Sequence, residues 1–304
     1  MPVYSIIIAV YNDWTALDLC LRSLTQQGDG PDFEVIVVDD GSNDPAPEGI
    51  RQWADRLPLT LIRQLHAGIS AARNHGIQLS KGSILLFVDA DCRLQPNCLA
   101  ALASKVAASP QHNCFQLRLV GDCSTLVGKT EHLRLTTLQS QLLQGNGCIR
   151  YLNTAGFAIG RASVPTERGL FEPLALRAED TFLLANLIER HELPYFVADA
   201  VVQHEIPPSL LGCFRRDIRS AFLEGRTYAL IASRGIRIRM SHRERWNMLG
   251  SMWRLSRLPS IGKAAYFMLV VRQSLSRITS YVYRLLHEWP GSQRTNTAAQ
   301  DRKI

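Results

Sequence analysis

Two carboxylates one residue apart, Asp89-Ala90-Asp91, follow the apolar run Ser83 to Val88. At a strand end such a pair can approach one hard divalent cation, and Mg²⁺ shares its oxygen ligands with substrate phosphates. Asp is also a common turn residue, so the pair alone leaves metal binding and simple turn chemistry both open. A second acidic turn, Val38-Asp39-Asp40-Gly41-Ser42, ends another apolar run. Gly41 permits a tight turn, and a carboxylate there can accept from the N–H of a nucleobase, although the composition is ordinary for turns. In Ala67 to Gly76 (AGISAARNHG), Gly68 opens a helix whose first amides can face phosphate. Arg73 can add a charge-assisted contact to an anionic donor, or simply sit on a solvated helix face. Arg177-Ala178-Glu179-Asp180 precedes the apolar TFLLANLI. A carboxylate at a helix start either caps it or acts as the general base that deprotonates an acceptor hydroxyl.

These residues need elements to hold them. Ser5 to Val10 (SIIIAV), Glu34 to Val38, Leu59 to Ile62 and Ser83 to Val88 read as strands buried on both faces of a parallel sheet. Helices are expected from about Trp14 to Gln27, capped by Asn12 or Asp13, and from Ile69 to Ser80. This βαβαβαβ order predicts a doubly wound sheet with right-handed crossovers, whose ligands bind beyond the carboxyl ends of the strands. Tyr11, Asn12, Asp39, Asp40, Asp89 and Asp91 all fall at those ends. After residue 95 the pattern changes. Pro96 to Ala108, Glu131 to Leu143 and Glu179 to His191 read as helices, Cys114 to Val120 and Tyr195 to Ala198 as strands. Gly145 to Gly147 and Asn153 to Gly160 read as loops. The expected division is a catalytic domain over 1–208 (nucleotide half 1–95, acceptor half 96–208), a basic helical region over 209–290, and a polar disordered tail over 291–304.

In order, SIIIAVYN, EVIVVDDGSND, AGISAARNHGI, ILLFVDADC and AED at a helix start resemble glycosyltransferase family 2 with the GT-A fold. The resemblance covers about residues 4 to 205. It implies a Rossmann-like, mostly parallel α/β sheet flanked by helices, with the basic helical region as an appendage. It also implies roles. Ala9, Tyr11, Asp39, Asp40, Arg73 and Asp89 would serve the nucleotide. Asp89 and Asp91 would hold Mg²⁺ or Mn²⁺ on the diphosphate. Asp180 would be the catalytic base, with Glu179 beside it. His204, after the strand that begins at Tyr195, would reach the metal or diphosphate, with a half-buried structural His as the equal alternative. The implied activity is inverting transfer from a UDP-, GDP- or dTDP-sugar to a glycan or lipid-linked acceptor, in surface polysaccharide, lipopolysaccharide or glycolipid assembly. Cys92 stands where a second Asp often follows, and the Q-x-x-R-W motif of processive synthases is absent.

Composition bounds the rest. With 304 residues, 46% hydrophobic and 20% charged, the chain is globular rather than disordered or fibrous. From Cys213 onward there are 18 Lys+Arg against 5 Asp+Glu, a balance of +13; before it, 16 against 22 give −6. The acidic part can host a metal and the basic part can meet an anionic surface. Seven irregularly spaced cysteines without a C-x-x-C pair argue against a disulfide framework or zinc site and for a reducing cytoplasm. The short N-terminal apolar run lacks a basic flank and reads as a strand, not a signal peptide. No stretch reaches the length of a membrane span. Leu275, Ile278, Val282 and Leu285 fall on one helical stripe, with Arg272, Arg277 and Arg284 off it and Trp246, Trp253 and Trp289 nearby. Peripheral contact with an anionic membrane is the favoured reading of this region, and packing on the catalytic domain its rival. No nucleic-acid-binding module is recognisable. A sugar nucleotidyltransferase would need a Gly-rich basic loop where AVYNDW stands. A non-catalytic nucleotide-sugar-binding relative remains the alternative from another class.

Overall fold

The computed structural model of the chain describes residues 3–28, 30–165, 169–175, 177–205, 210–233 and 242–287. The first half alternates β1 (Tyr4–Val10), α1 (Trp14–Leu24), β2 (Phe33–Asp39), the short α2 (Glu48–Arg51), β3 (Leu59–Arg63), α3 (Ile69–Leu79) and β4 (Ile84–Asp89). There follow β5 (Cys92–Leu94), α4 (Cys98–Ala108), β6 (Cys114–Gly121), α5 (Leu126–Leu142), β7 (Phe157–Gly160), α6 (Glu179–Glu189) and β8 (Tyr195–His204). The chain then becomes helical through α7 (Leu210–Ser233), α8 (His242–Leu255) and α9 (Lys263–His287). Among the described residues eight strands form one sheet in the order β3-β2-β1-β4-β7-β6-β8-β5.

β1 is central because its run of β-branched residues is buried on both faces, from Ile6 to Ile8 without any exposure. It pairs in parallel with β2 and β4, so Ala9 stands level with Val38 on one side and Asp89 on the other. That register brings the acidic ends of β2 and β4 to one edge. The parallel half ends at β4. β7 runs antiparallel to both β4 and β6, and β5 antiparallel to β8, while β6 and β8 are parallel. The sheet is therefore parallel on the nucleotide side and mixed beyond it.

Where sequence and structure differ, the reason is local. The segment read as a loop from Asn153 to Gly160 contains β7, four residues whose Ala and Gly carry little strand signal. β8 continues well past Ala198 because a register shift opposite Leu117 and Arg118 absorbs the polar interruption at Asp199. α5 starts at Leu126 rather than Glu131, since the Thr125 hydroxyl accepts from the Gly128 amide at 3.0 Å and caps it.

The C-terminal helices pack on the sheet domain. Leu133 of α5 is buried with Met248, Met252, Ile261, Ala265 and Leu269. Each fully buried aliphatic side chain of this kind stabilises by about 1.5–3 kcal/mol. Arg272, which lies off the apolar stripe, is 7% exposed and donates to both oxygens of Asp217 on α7, at 2.6 and 2.9 Å. The other face of α9 is open: Phe267, Val271, Leu275, Ile278 and Val282 are 37–59% exposed. The apolar stripe is thus real but faces outward, while the opposite face makes the packing contact. The side chains of Arg284 and Leu285, Trp289 and the tail 291–304 lie outside the described residues. No helix of the described chain is long and apolar enough to cross a membrane.

Candidate active site

A cavity of about 1170 Å³ opens beyond the carboxyl ends of β1 and β4. Ala9, Tyr11, Asp89, Asp91, Glu179, Asp180 and His204 all line it. Seven residues predicted from four separate stretches of chain therefore share one space.

The β1 and β2 ends are stapled together. Asn12, at φ +56°, accepts from the Asn43 amide through its side chain at 2.7 Å, and its own amide donates to the Ser42 hydroxyl at 2.9 Å. Tyr11 is 47% exposed and stacks on His66 at 4.4 Å. Asp39 and Asp40, expected at the nucleobase, do not line the cavity and are 2% and 3% exposed. Asp40 accepts from the Ala67 and Gly68 backbone amides, both at 2.9 Å, and from the Gln64 side-chain Nε2 at 2.7 Å. His66 lies against it at 2.9 Å. Asp39 accepts from the Ser42 amide at 2.8 Å. The two carboxylates shape the loop that presents Tyr11 and the start of α3, because their oxygens are already in use.

Arg73 also lies elsewhere than expected. It is 1% exposed, sits 5.3 Å over the Phe171 ring, and donates to Asp89 at 2.6 Å and Glu179 at 2.7 Å. One guanidinium fork thus ties α3 to the end of β4 and to the start of α6. Ala178, at φ +58°, turns the chain into α6. A left-handed alanine costs about 1–2 kcal/mol, and such strain collects at functional sites. It leaves Glu179 held by Arg73 and Asp180 in the cavity wall.

Electrostatics separate the acids. Burial, with the neighbouring Glu179 charge, pushes the Asp180 carboxyl up to about 7. Burial also raises Asp89, against the pull of Arg73. Asp91 is held below the usual range, because His204 at 3.4 Å outweighs its desolvation. His204 is raised in turn: burial opposes its charge and Asp91 favours it more.

Sequence reasoning missed part of the wall. Buried Glu131 and half-buried Arg134 of α5 line the cavity as an ion pair, with Arg134 Nε donating at 2.9 Å. Burial opposes the Glu131 charge, but Arg134 holds the carboxyl down at about 2. Their i,i+3 spacing was a visible signal. Arg216 and Asp217 of α7 and Arg272 and Arg277 of α9 form a roof. In the sequence Arg272 and Arg277 stand out only as basic residues off an apolar stripe; nothing local marks any of the four as cavity lining, since only tertiary packing brings these helices over the sheet.

The sequence model of Glycosyl transferase family 2 matches residues 5–164, which is 160 of the 304 residues. The chain belongs to this family. Proteins similar to it include glycosyltransferase AglE of Haloferax volcanii, 43% identical over 96 residues, covering 30% of this chain and 31% of that protein. The hyaluronan synthase of Pasteurella multocida is 38% identical over 97 residues, covering 31% and 10%. The matched stretch thus spans less than a third of these relatives. Among solved structures, the mannosyltransferase PcManGT of Pyrobaculum calidifontis, in complex with GDP-Man and Mn²⁺, aligns with a TM-score of 0.61 at 19% identity, over 97% of this chain and 83% of that one. S. aureus TarS 1–349 in complex with UDP aligns at 0.55 and 18%, over 93% and 91%. These likenesses give the GT-A fold, an α/β sheet flanked by helices. The match to the family ends before Asp180, His204 and the roof.

The donor set of this family 2 chain fits a hard divalent ion. Asp91, Cys92 and His204 bring ligand atoms within 4.8 Å of one another. Cys92 is fully buried and does not line the cavity, and burial drives its thiol well above the usual value. The groups that open on the cavity are therefore the Asp89 and Asp91 carboxylates and the His204 ring, an oxygen-rich set suited to Mg²⁺ or Mn²⁺ rather than a thiolate site.

Proposed function

We propose that the chain transfers a glycosyl group, with inversion, from a nucleoside-diphosphate sugar to an acceptor hydroxyl. The bond from the acceptor oxygen to the anomeric carbon forms as the bond to the diphosphate breaks. The hydroxyl proton passes to Asp180, and the bonding pair leaves with the diphosphate. Asp180 suits this role because its carboxyl, held near 7, can both take and release a proton at neutral pH. Arg73 fixes Asp89 and Glu179, so that Asp180 is the carboxyl left to react. Asp89, Asp91 and His204 would hold a divalent ion, which supplies positive charge to the leaving diphosphate when bound. Ala9, with its small side chain, and the exposed Tyr11 ring line the space for the nucleotide, with Asp39 and Asp40 supporting the loop.

The observation that carries this reading is one cavity holding the Asp89/Asp91/His204 set together with a carboxyl tuned as a base. The nucleotide-bound relatives, with GDP-Man and Mn²⁺ or with UDP, support a UDP-, GDP- or related sugar donor. The test is nucleotide release from a panel of UDP-, GDP- and dTDP-sugars with Mn²⁺ or Mg²⁺. Release should stop in EDTA and fall at least a hundredfold in Asp91→Ala, with the circular dichroism spectrum unchanged. Unaltered turnover in EDTA overturns the metal role. Binding of a nucleotide sugar without release favours a non-catalytic relative.

For the partner, the outer face of α9 supports an anionic membrane surface. At one end of its stripe Trp253 lies beneath Arg257 and Lys263, at 5.9 and 5.7 Å, and meets Phe267 edge-on at 6.4 Å. Aromatic rings with cationic neighbours beside an apolar helix face suit the headgroup region. Since α9 also roofs the cavity, a lipid-linked acceptor is the class it would serve. Seven free cysteines are consistent with the reducing cytoplasmic face.

A further inference from the structure

The cavity is electrically divided. Its sheet side carries Asp89, Asp91, Glu179 and Asp180, and its roof carries arginines from α7 and α9. The roof's carboxylates do not account for them. Asp217 receives two nitrogens of Arg272, yet Arg272 Nη1 is buried without a hydrogen-bond partner among the described residues. Glu131 is engaged by Arg134, Glu244 by Arg150, and Glu224 feels the Arg177 charge. Arg216 and Arg277 line the cavity with no hydrogen bond or ion pair among the described residues; the Arg216 charge contributes to holding the Asp91 carboxyl low. A buried donor left unpaired costs about 1–3 kcal/mol, so a cavity that also draws two unpaired guanidinium groups into its lining has a place for an anion.

We propose that Arg216, Arg272 and Arg277 form an anion subsite in the cavity roof that takes a phosphate group. The subsite stands on its own geometry; assigning its phosphate to a substrate rests on the transferase reading. Two sources share this chemistry. One is the diphosphate of the donor, reached between the acidic edge and Arg216. The other is a phosphate on the acceptor, entering beside the exposed Arg277.

Inorganic phosphate is the probe. With EDTA present, the acidic edge repels phosphate, so a response reports the roof. Wild-type protein should show a saturable rise in Tm with phosphate. The rise should vanish in the double variant Arg216→Gln/Arg277→Gln. It should persist in Arg243→Gln, an exposed arginine of α8 outside the cavity, and largely persist in Arg277→Lys. Arg272 is left in place because its pairing with Asp217 clamps the fold. No response in the wild type, or an equal response in the double variant, overturns the subsite. Acceptor-free hydrolysis of a nucleotide sugar then separates the sources. A rise in donor KM of at least tenfold in the double variant assigns the phosphate to the donor. An unchanged KM with loss of the phosphate response assigns it to the acceptor. Absence of hydrolysis with every donor would count against the transferase reading alone, because the phosphate titration needs no turnover.

Discussion

A carboxyl held at about 7 changes charge within the range of ordinary assays, and for Asp180 the consequences for rate and stability run in opposite directions. As a base it must be ionised, so kcat should rise with pH through about 7 and level off above it. Its folded pKa lies above the unfolded value of about 3.9. The native state therefore binds the proton more tightly, and stability is lost as pH rises from that value through about 7. Asp180→Asn should abolish transfer yet stabilise the fold, by about 1–2 kcal/mol more at pH 8 than at pH 5. Urea denaturation at the two pH values checks this; an equal effect at both would mean that ionisation is not the cause. Arg73→Lys should separate another pair of effects. A single ammonium cannot fork between Asp89 and Glu179 as the guanidinium does. Breaking a buried ion pair costs about 3–5 kcal/mol, and this variant keeps the charge while losing one arm, so a loss of about 2–3 kcal/mol with much reduced kcat is expected. Asp89, Asp91 and Asp180 were legible in the sequence because they stand at strand ends and a helix start. The partner of Arg73 was not, since Glu179 lies 106 residues away and only the folded sheet brings them together.

At the scale of elements, α5 connects the sheet to the roof. Its buried residues, including Leu133, Leu135, Thr137 and Leu142, point in several directions, because it is covered by β6 on one side and α8 and α9 on another. That is why its amphipathic signal is weak and its start was misplaced. Gly128 lies in its first turn, where an added Cβ would stand 1.6 Å from the Asp122 carbonyl oxygen. Backbone cannot yield to that contact as a flexible side chain could. Gly128→Ala should therefore destabilise by about 2–4 kcal/mol, despite the better helix propensity of alanine. It should also raise donor KM, because Glu131 and Arg134 of the cavity wall follow about one and two turns later. Thermal unfolding and KM measured on the same protein test both parts. The parallel half was readable from its apolar runs and polar turns. β5 and β7 were not, because three- and four-residue strands are formed by their neighbours rather than by their own composition.

Considered whole, the molecule presents two faces of α9 to different surroundings. The outward stripe of Phe267, Val271, Leu275, Ile278, Val282 and nearby Tyr281 is apolar and 37–59% exposed. The membrane partner proposed above takes this stripe, with its cationic rim, as the face that meets lipid. The chain should float with vesicles containing 30% phosphatidylglycerol at least tenfold better than with pure phosphatidylcholine vesicles. Phe267→Asp/Ile278→Asp should remove the difference and leave donor hydrolysis in solution unchanged. A dimer by light scattering that this variant dissociates would overturn the membrane assignment. The position of the roof in the chain also bears on synthesis. A ribosome would release the acidic edge of the sheet well before the helices that cover it. At about 5–20 residues per second, residues 210 to 287 need on the order of 4–16 s. During that interval a nascent polypeptide would expose Leu133 and the unshielded carboxylates together, which is when a chaperone would have most to cover.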